Sequence, residues 1–369
     1  MKTTAHVSVT RAQALSWRTE RQFLGPLVSR SAAEVVGRLG AVLSMDESLA
    51  ELAVHARSSS VQSGDLTRAL AAGEVIKAFA FRGAVHYLSP EEGGVYLSLR
   101  QAGRQWELPS WVEHYQLTPS DWPDFRAAVR EALADGPLTV AELGEAVAKH
   151  RAYQHLRPVF DDGAGTLIKP LSWQGDLTLG PRREGRLTLQ LLESNPRWGG
   201  IPELDVAGPR AIKAYFSVYG PASLDNLDHW LGKGLSAGRK RLGGWLDDLG
   251  DELVPVDLEG GLAYVARQDV DALEAATPSD VVRLLPGHDQ WIMGPGTSDG
   301  HVTPPAHRDL MTRKANPVID GGVVCGTWAR ARDAVTVTWL GPGRRPEAAL
   351  ASEVDRLAEL LGRDLTLQG

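Results

Sequence analysis

The chain of 369 residues has a single cysteine, Cys325, which excludes an internal disulfide framework. Cysteines and histidines are nowhere grouped at zinc-site spacing, so no metal and no other cofactor is expected. Cys325 is expected to be a buried strand residue without a redox role. Long apolar runs are missing as well. The opening "MKTTAHVSVTRAQALSWR" lacks a signal-peptide core, and nowhere do about 18 apolar residues follow one another, so a cytoplasmic protein is expected. An excess of positive charge is the third absence. Lys and Arg number 39 against 46 Asp and Glu, a formal net charge of -7. That excludes a protein held on nucleic acid by overall charge alone, and any such binding requires local basic faces.

Helical period dominates the first two-thirds. In "SAAEVVGRLGAVL", Ser31 and Glu34 form a capping box ahead of Val35, Val36, Leu39, Val42 and Leu43 at helical spacing. Ser48 with Glu51 reads as a second box, opening "SLAELAVHARS". "VIKAFAFRGAVHYLSPEE" reads as a helix that gives way at Arg82-Gly83 to a short strand ended by Ser89-Pro90. Two later segments follow one plan. "WPDFRAAVREALADGPLTVAELGEAV" is helix, turn, helix, with Thr139 and Glu142 as cap, and "DLTLGPRREGRLTLQLL" then alternates around a tight loop. Around Gly220-Pro221 the logic repeats: Ser223 caps one helix, Ser236 opens another that carries Arg239, Lys240 and Arg241, and "ELVPVDLEGGLAYVA" supplies two strands. Three helices and a two-stranded wing make the winged helix-turn-helix.

After residue 280, "VVRLLPGHDQWIMGP", "NPVIDGGVVCGTW" and "DAVTVTWLGPG" are short apolar runs between glycine-rich turns, as in a small barrel. "PEAALASEVDRLAELLG" closes the chain as an amphipathic helix with Leu350, Val354, Leu357 and Leu361 on one side. The expected fold is α+β, with tandem winged helix-turn-helix modules followed by a small β-barrel-like domain. The expected units are residues 8–115 (helical and winged-helix-like), 120–195 and 205–270 (winged helix), 280–345 (barrel-like) and 346–364 (a helix packed on the body).

"GPLT" and "GPAS" at the starts of winged units, "RGAVHYL", "LLPGHDQWIMGP" with Arg308 downstream, and "NPVIDGGVVCGTW" together resemble the bacterial winged-helix family that includes the AlkZ/YcaQ DNA glycosylases. The resemblance covers roughly residues 8 to 345. It implies winged modules curved around duplex DNA, and enzymes that remove alkylated purines and unhook interstrand crosslinks. It also implies a Gln-x-Gln motif after an "LG-x-x" helix at the bottom of the DNA cleft. Leu39-Gly40-Ala41-Val42 matches that helix and Asp46 the residue after the motif, but the glutamine positions hold Leu43 and Met45.

A glycosylase must stabilise positive charge building on the sugar as the base departs, and orient a water. Leucine and methionine can do neither. Asp46, Glu47 and His86 are the catalytic candidates left. Each has a structural alternative: Ser44 can cap with Glu47, Asp46 can sit at a helix N-terminus, and His86 can bond within an apolar strand. For Asp46, capping is the preferred expectation. DNA contacts are expected from Arg82 beside Gly83, from Arg182, Arg183 and Arg186 at a wing tip, and from Arg239, Lys240 and Arg241 near the start of a recognition helix. Trp106, Trp111 and Trp122 are expected to pack between modules.

The function expected is that of a monomeric protein that binds double-stranded DNA, damaged or branched, in the DNA damage response. It would lack the usual glutamines, stay off membranes, and be nucleoid-associated when bound. The alternatives are a divergent monofunctional glycosylase, a winged-helix transcriptional regulator, and a protein-binding use of the same modules.

Overall fold

The computed structural model of the chain describes residues 7–369. Residues 1–6, part of the stretch read above for a leader, lie outside the described residues. Connectivity repeats: helix, strand, helix, helix, then the two strands of a hairpin. The first pass is Ala32–Leu39, Val42–Leu43, Glu47–His55, Asp65–Ala71, Ile76–Phe79 and Val85–Leu88. The second is Trp122–Leu133, Leu138–Thr139, Val140–Val147, Ile168–Trp173, Leu177–Arg183 and Arg186–Leu191, with extra helical turns ahead of its third helix. In the third, Leu204–Tyr219 leads to a single bridge between Ala222 and Tyr264, then Leu224–Leu227, Arg239–Leu249, Leu253–Leu258 and Gly261–Ala266. In the first two sheets the last strand of the pass lies centrally, antiparallel to both neighbours. This is the winged helix-turn-helix order, and the fold is α+β with tandem winged modules.

Helix starts follow side-chain chemistry. Ser31 with Glu34 and Thr139 with Glu142 form reciprocal capping boxes, and Ser223 pairs in the same way with Asn226. The helix starts expected at Ser48 and Ser236 do not form, while the cap preferred for Asp46 does. Asp46, not Ser48, caps Glu47–His55, because its carboxylate reaches the N–H groups of both Ser48 and Leu49. Arg239–Leu249 opens at Gly238 with no side-chain cap. Ser236 is in the left-handed region at φ 64°, and its hydroxyl instead accepts from Arg100 Nη1 at 2.7 Å.

The stretch after Glu74 also differs. Ile76–Phe79 is a strand, not a helix, and pairs antiparallel with Val85–Leu88. All four of its residues are buried, which erases the alternation that marks a strand in sequence.

The N-terminal stretch divides between neighbours. Val7–Val9 adds a parallel strand to the third module's sheet, Val7 opposite Val256. On the helix Arg11–Arg21, Trp17 packs with that sheet, while Leu15 packs with Trp291 and Val324.

After the modules comes a curled half-barrel of five strands: Val282–Leu284, Asn316–Asp320, Val323–Ala331, Ala334–Trp339 and Thr366–Gln368, in that order. A bulge between Val318 and Ile319 bends it. Val335 and Val337 are buried while Thr336 and Thr338 are exposed, as the alternation predicts, and Cys325 is buried in the third of these strands. The helix Glu347–Leu361 packs on this sheet through Leu350, Val354, Leu357 and Leu360, with Leu361 partly buried beside them.

One hydrophobic cluster runs from Ala32 to Leu253 through all three winged modules, so they are not beads on a flexible string. Among the described residues no helix is long and apolar enough to cross a membrane.

Candidate catalytic cleft and nucleic-acid interface

"LGAVLSMDESL" is not a junction of two helices. Ala32–Leu39 ends at Gly40, at φ 75°, where an added Cβ would collide with the Tyr96 hydroxyl. Val42 and Leu43 then form a short strand opposite Tyr87 and His86. The strand and the bend after it therefore set where these side chains go. Leu43 is half-buried and Met45 is 67% exposed.

Asp46 is exposed at the helix N-terminus. Its Oδ1 accepts from Ser48 Oγ at 2.7 Å, Ser48 N at 3.0 Å and Leu49 N at 3.4 Å. The Ser48 hydroxyl is the main reason its carboxyl titrates below the usual carboxylate range. All three bonds fall on Oδ1, which leaves Oδ2 without one among the described residues.

Glu47 turns elsewhere. It pairs with Lys77 Nζ, accepts from the Tyr87 hydroxyl at 2.7 Å, and lies 3.4 Å from Ser44 Oγ. His86 is buried, donates Nδ1–H to the Ala84 carbonyl at 3.0 Å, and meets Phe81 edge-on. Burial pushes its pKa down to about 4, so it is neutral at physiological pH. The structure does not bring Asp46, Glu47 and His86 to one point. Sequence reasoning missed Lys77, although a lysine inside the apolar run "VIKAFAF" was the available signal.

A cleft of about 240 Å³ opens beside Asp46, between the first module and the half-barrel. Leu43, Met45 and Leu49 line one side, Pro286, His288 and Gln290 the other, and Lys314 also contributes. Asp289 is in the wall but is fully engaged. Its carboxylate holds Arg57 by two bonds of 2.6 and 2.8 Å, with both side chains 0% exposed, and also caps the short helix Gln290–Met293. The wall is thus fixed by a buried ion pair, and its lining is mostly apolar. Among the described residues no three His, Cys, Asp or Glu side chains are grouped as metal ligands.

The basic residues fall into three places. Arg182, Arg183 and Arg186 are exposed at the second module's wing tip, where Arg183 pairs with Glu142 and Arg182 bonds the Gly185 carbonyl at 2.8 Å. Arg239, Lys240 and Arg241 form the exposed first turn of Arg239–Leu249. Arg239 there also contacts Asp225 and Asp228. Arg82 is exposed but spans two modules, donating to His229 Nε2 at 2.7 Å and to the His229 carbonyl at 3.1 Å. Trp106 and Trp122 are buried and 6.1 Å apart, and Trp111 packs on Tyr115, as packing residues would be.

Residues 36–360 match the family described as AlkZ-like, DNA glycosylase AlkZ-like. An interstrand DNA cross-link repair glycosylase of Streptomyces sahachiroi is 37% identical over 358 residues, 95% of this chain and 96% of that protein. The solved structure of the Streptomyces sahachiroi DNA glycosylase AlkZ superposes with a TM-score of 0.91 at 34% identity, covering 98% of this chain and 100% of that one.

Proposed function

Since the chain belongs to the AlkZ-like DNA glycosylase family, we propose that it is a monomeric duplex DNA-binding protein of the damage response, recognising damaged or non-standard DNA without the glutamine pair of its relatives. One observation carries this reading. The two glutamine positions hold Leu43 and Met45, and the carboxylates beside them cap a helix or pair with Lys77. An oriented group lost from a site of this kind costs about 10² or more in rate, and here two are replaced. Exposed arginines at the second wing and at the first turn of Arg239–Leu249 offer contacts to a phosphate backbone without requiring a basic protein overall.

Asp46 favours a second reading, a divergent glycosylase. It is ionised at neutral pH, lines the cleft and keeps Oδ2 free of bonds among the described residues, so that oxygen is able to hold a water. One experiment separates the two. Labelled undamaged, alkylated and branched duplexes are incubated with the protein at two salt concentrations, scored for binding, then treated with alkali. Tight, salt-sensitive binding without alkali-labile sites is expected. Base release that disappears in Asp46→Asn would replace the first reading by the second, and failure to bind any duplex would reject both.

A further inference from the structure

Around Gly83 the chain gathers cations without gathering acids. Gly83 ends the turn of the first module's hairpin, at φ 69°. A Cβ there would lie 3.6 Å from Arg100 Nη2 and 3.7 Å from Lys169 Nζ. Arg100 comes from the connector helix Gly93–Gln101, and Lys169 from Ile168–Trp173, the third helix of the second module. Arg82, the residue before Gly83, directs its guanidinium to His229 of the third module.

The partners of these cations are neutral. Arg100 donates to the Ser236 hydroxyl at 2.7 Å and the Gln105 side-chain oxygen at 3.2 Å, and its guanidinium lies 4.2 Å over the Trp173 ring. Lys169 Nζ lies 5.5 Å from the Phe79 ring centre. Arg82 bonds to His229, whose imidazole is neutral because burial pushes its pKa down to about 4. Among the described residues neither Arg100 nor Lys169 is joined to a carboxylate by a hydrogen bond or ion pair. Elsewhere the arrangement is the opposite: Arg57, Arg126, Arg283 and Arg356 each meet an acid.

Arg100 is only 7% exposed, and its Nε is buried with no hydrogen-bond partner. Two like charges held close, one buried and one half-buried, repel, and an anion placed between them removes that repulsion. We propose that Arg100 and Lys169 form a seat for one phosphodiester of bound duplex DNA, where the first hairpin, the connector and the second module's third helix meet. Gly83, lacking a side chain, leaves the space between the two cations unfilled. The seat rests on the DNA-binding reading given above. It adds a phosphate contact that neither the wing tip nor the Arg239 turn supplies, one that fixes register and carries no sequence information.

The test uses the full chain with Lys169→Gln and Lys169→Arg, since Arg100 also packs on Trp173 and its loss would confound folding. Affinity for an undamaged duplex is measured between about 50 and 200 mM salt. Lys169→Gln is expected to keep the wild-type thermal midpoint, to bind about 3- to 10-fold more weakly on every sequence, and to lower the slope of log affinity against log salt by about one. Lys169→Arg should keep both values. An unchanged affinity and slope in Lys169→Gln overturns the seat. If the wild type binds no duplex, the DNA reading fails by itself. The site is then judged with inorganic phosphate at constant ionic strength: a rise in thermal midpoint that Lys169→Gln abolishes keeps an anion seat, and no rise removes it.

Discussion

Two hairpins with the same place in the winged plan end in opposite surroundings. The first turns at Phe81–Gly83 into the third module, where Phe81 stacks on Trp230 with ring centres 3.8 Å apart and Arg82 bonds to His229. The second ends in Arg182, Arg183, Glu184, Gly185 and Arg186, all exposed. Connectivity is shared, but the residue at the tip decides the use. An aromatic tip buries about 150–250 Å² only against another surface and so becomes a joint. A tip of arginines keeps its hydration and remains available to an external anion.

The largest effect expected from disturbing this contrast lies at the other seam of the first module. Asp289→Ala leaves the fully buried Arg57 without its carboxylate and should cost about 3–5 kcal/mol in urea unfolding. A loss below about 1 kcal/mol would mean that the hairpin joint alone holds the module. Next comes the joint itself. Phe81→Ala removes a ring that is 1% exposed and should cost about 3–4 kcal/mol, whereas a negligible loss would make the docked tip equivalent to the free one.

A smaller effect is pH-dependent and lies within the first module. Glu51 Oε1 accepts from the Leu66 N–H at 3.2 Å, Oε2 is buried without a partner, and burial pushes the carboxyl up to about 7. A group whose folded pKa lies above its unfolded value holds a proton that the unfolded chain has released. Stability therefore falls as pH rises from about 4.5 to about 7. Glu51→Gln, which keeps an acceptor for Leu66, should be more stable than wild type at pH 8 by about 1–2 kcal/mol, and equal to it near pH 4. Equal stability at pH 8 would show Glu51 to be solvated. His55 and His86 act with the opposite sign. Burial pushes both down to about 4, so their contribution is lost as pH falls from 6.5 through about 4.

The smallest effect on stability belongs to the free wing. Replacing Arg182, Arg183 and Arg186 together by serine should change unfolding by no more than about 0.5 kcal/mol, since the Arg183–Glu142 pair is exposed. The same variant should lose DNA affinity and salt sensitivity. Unchanged binding would remove this wing from the interface.

The legible parts of the sequence were those with local chemistry. Caps at Ser31, Thr139 and Ser223 and the alternation of Val335 and Val337 all act within a few residues, and each is where the pattern puts it. Ile76–Phe79 was illegible because burial on both faces removes the strand period. Val7–Val9 was illegible because its partner strand is remote in the chain. The cleft was read in part. Leu43 and Met45 could be placed by resemblance, but the wall from Pro286 to Gln290 meets them only through tertiary packing. Nor could sequence reveal that Asp289 pairs with Arg57, or that Arg82 faces another module.

That remote pairing bears on how the chain is made. Val7–Val9 is synthesised well before the strand it joins, Leu253–Leu258, which follows two complete winged units. At about 5–20 residues per second the early strand waits roughly tens of seconds with one edge unpaired. Long-range closure of this kind also slows folding, because loop entropy is lost before the pairing rewards it. The third sheet is therefore the last of the three to be complete, and Val7–Val9 acts as its latch.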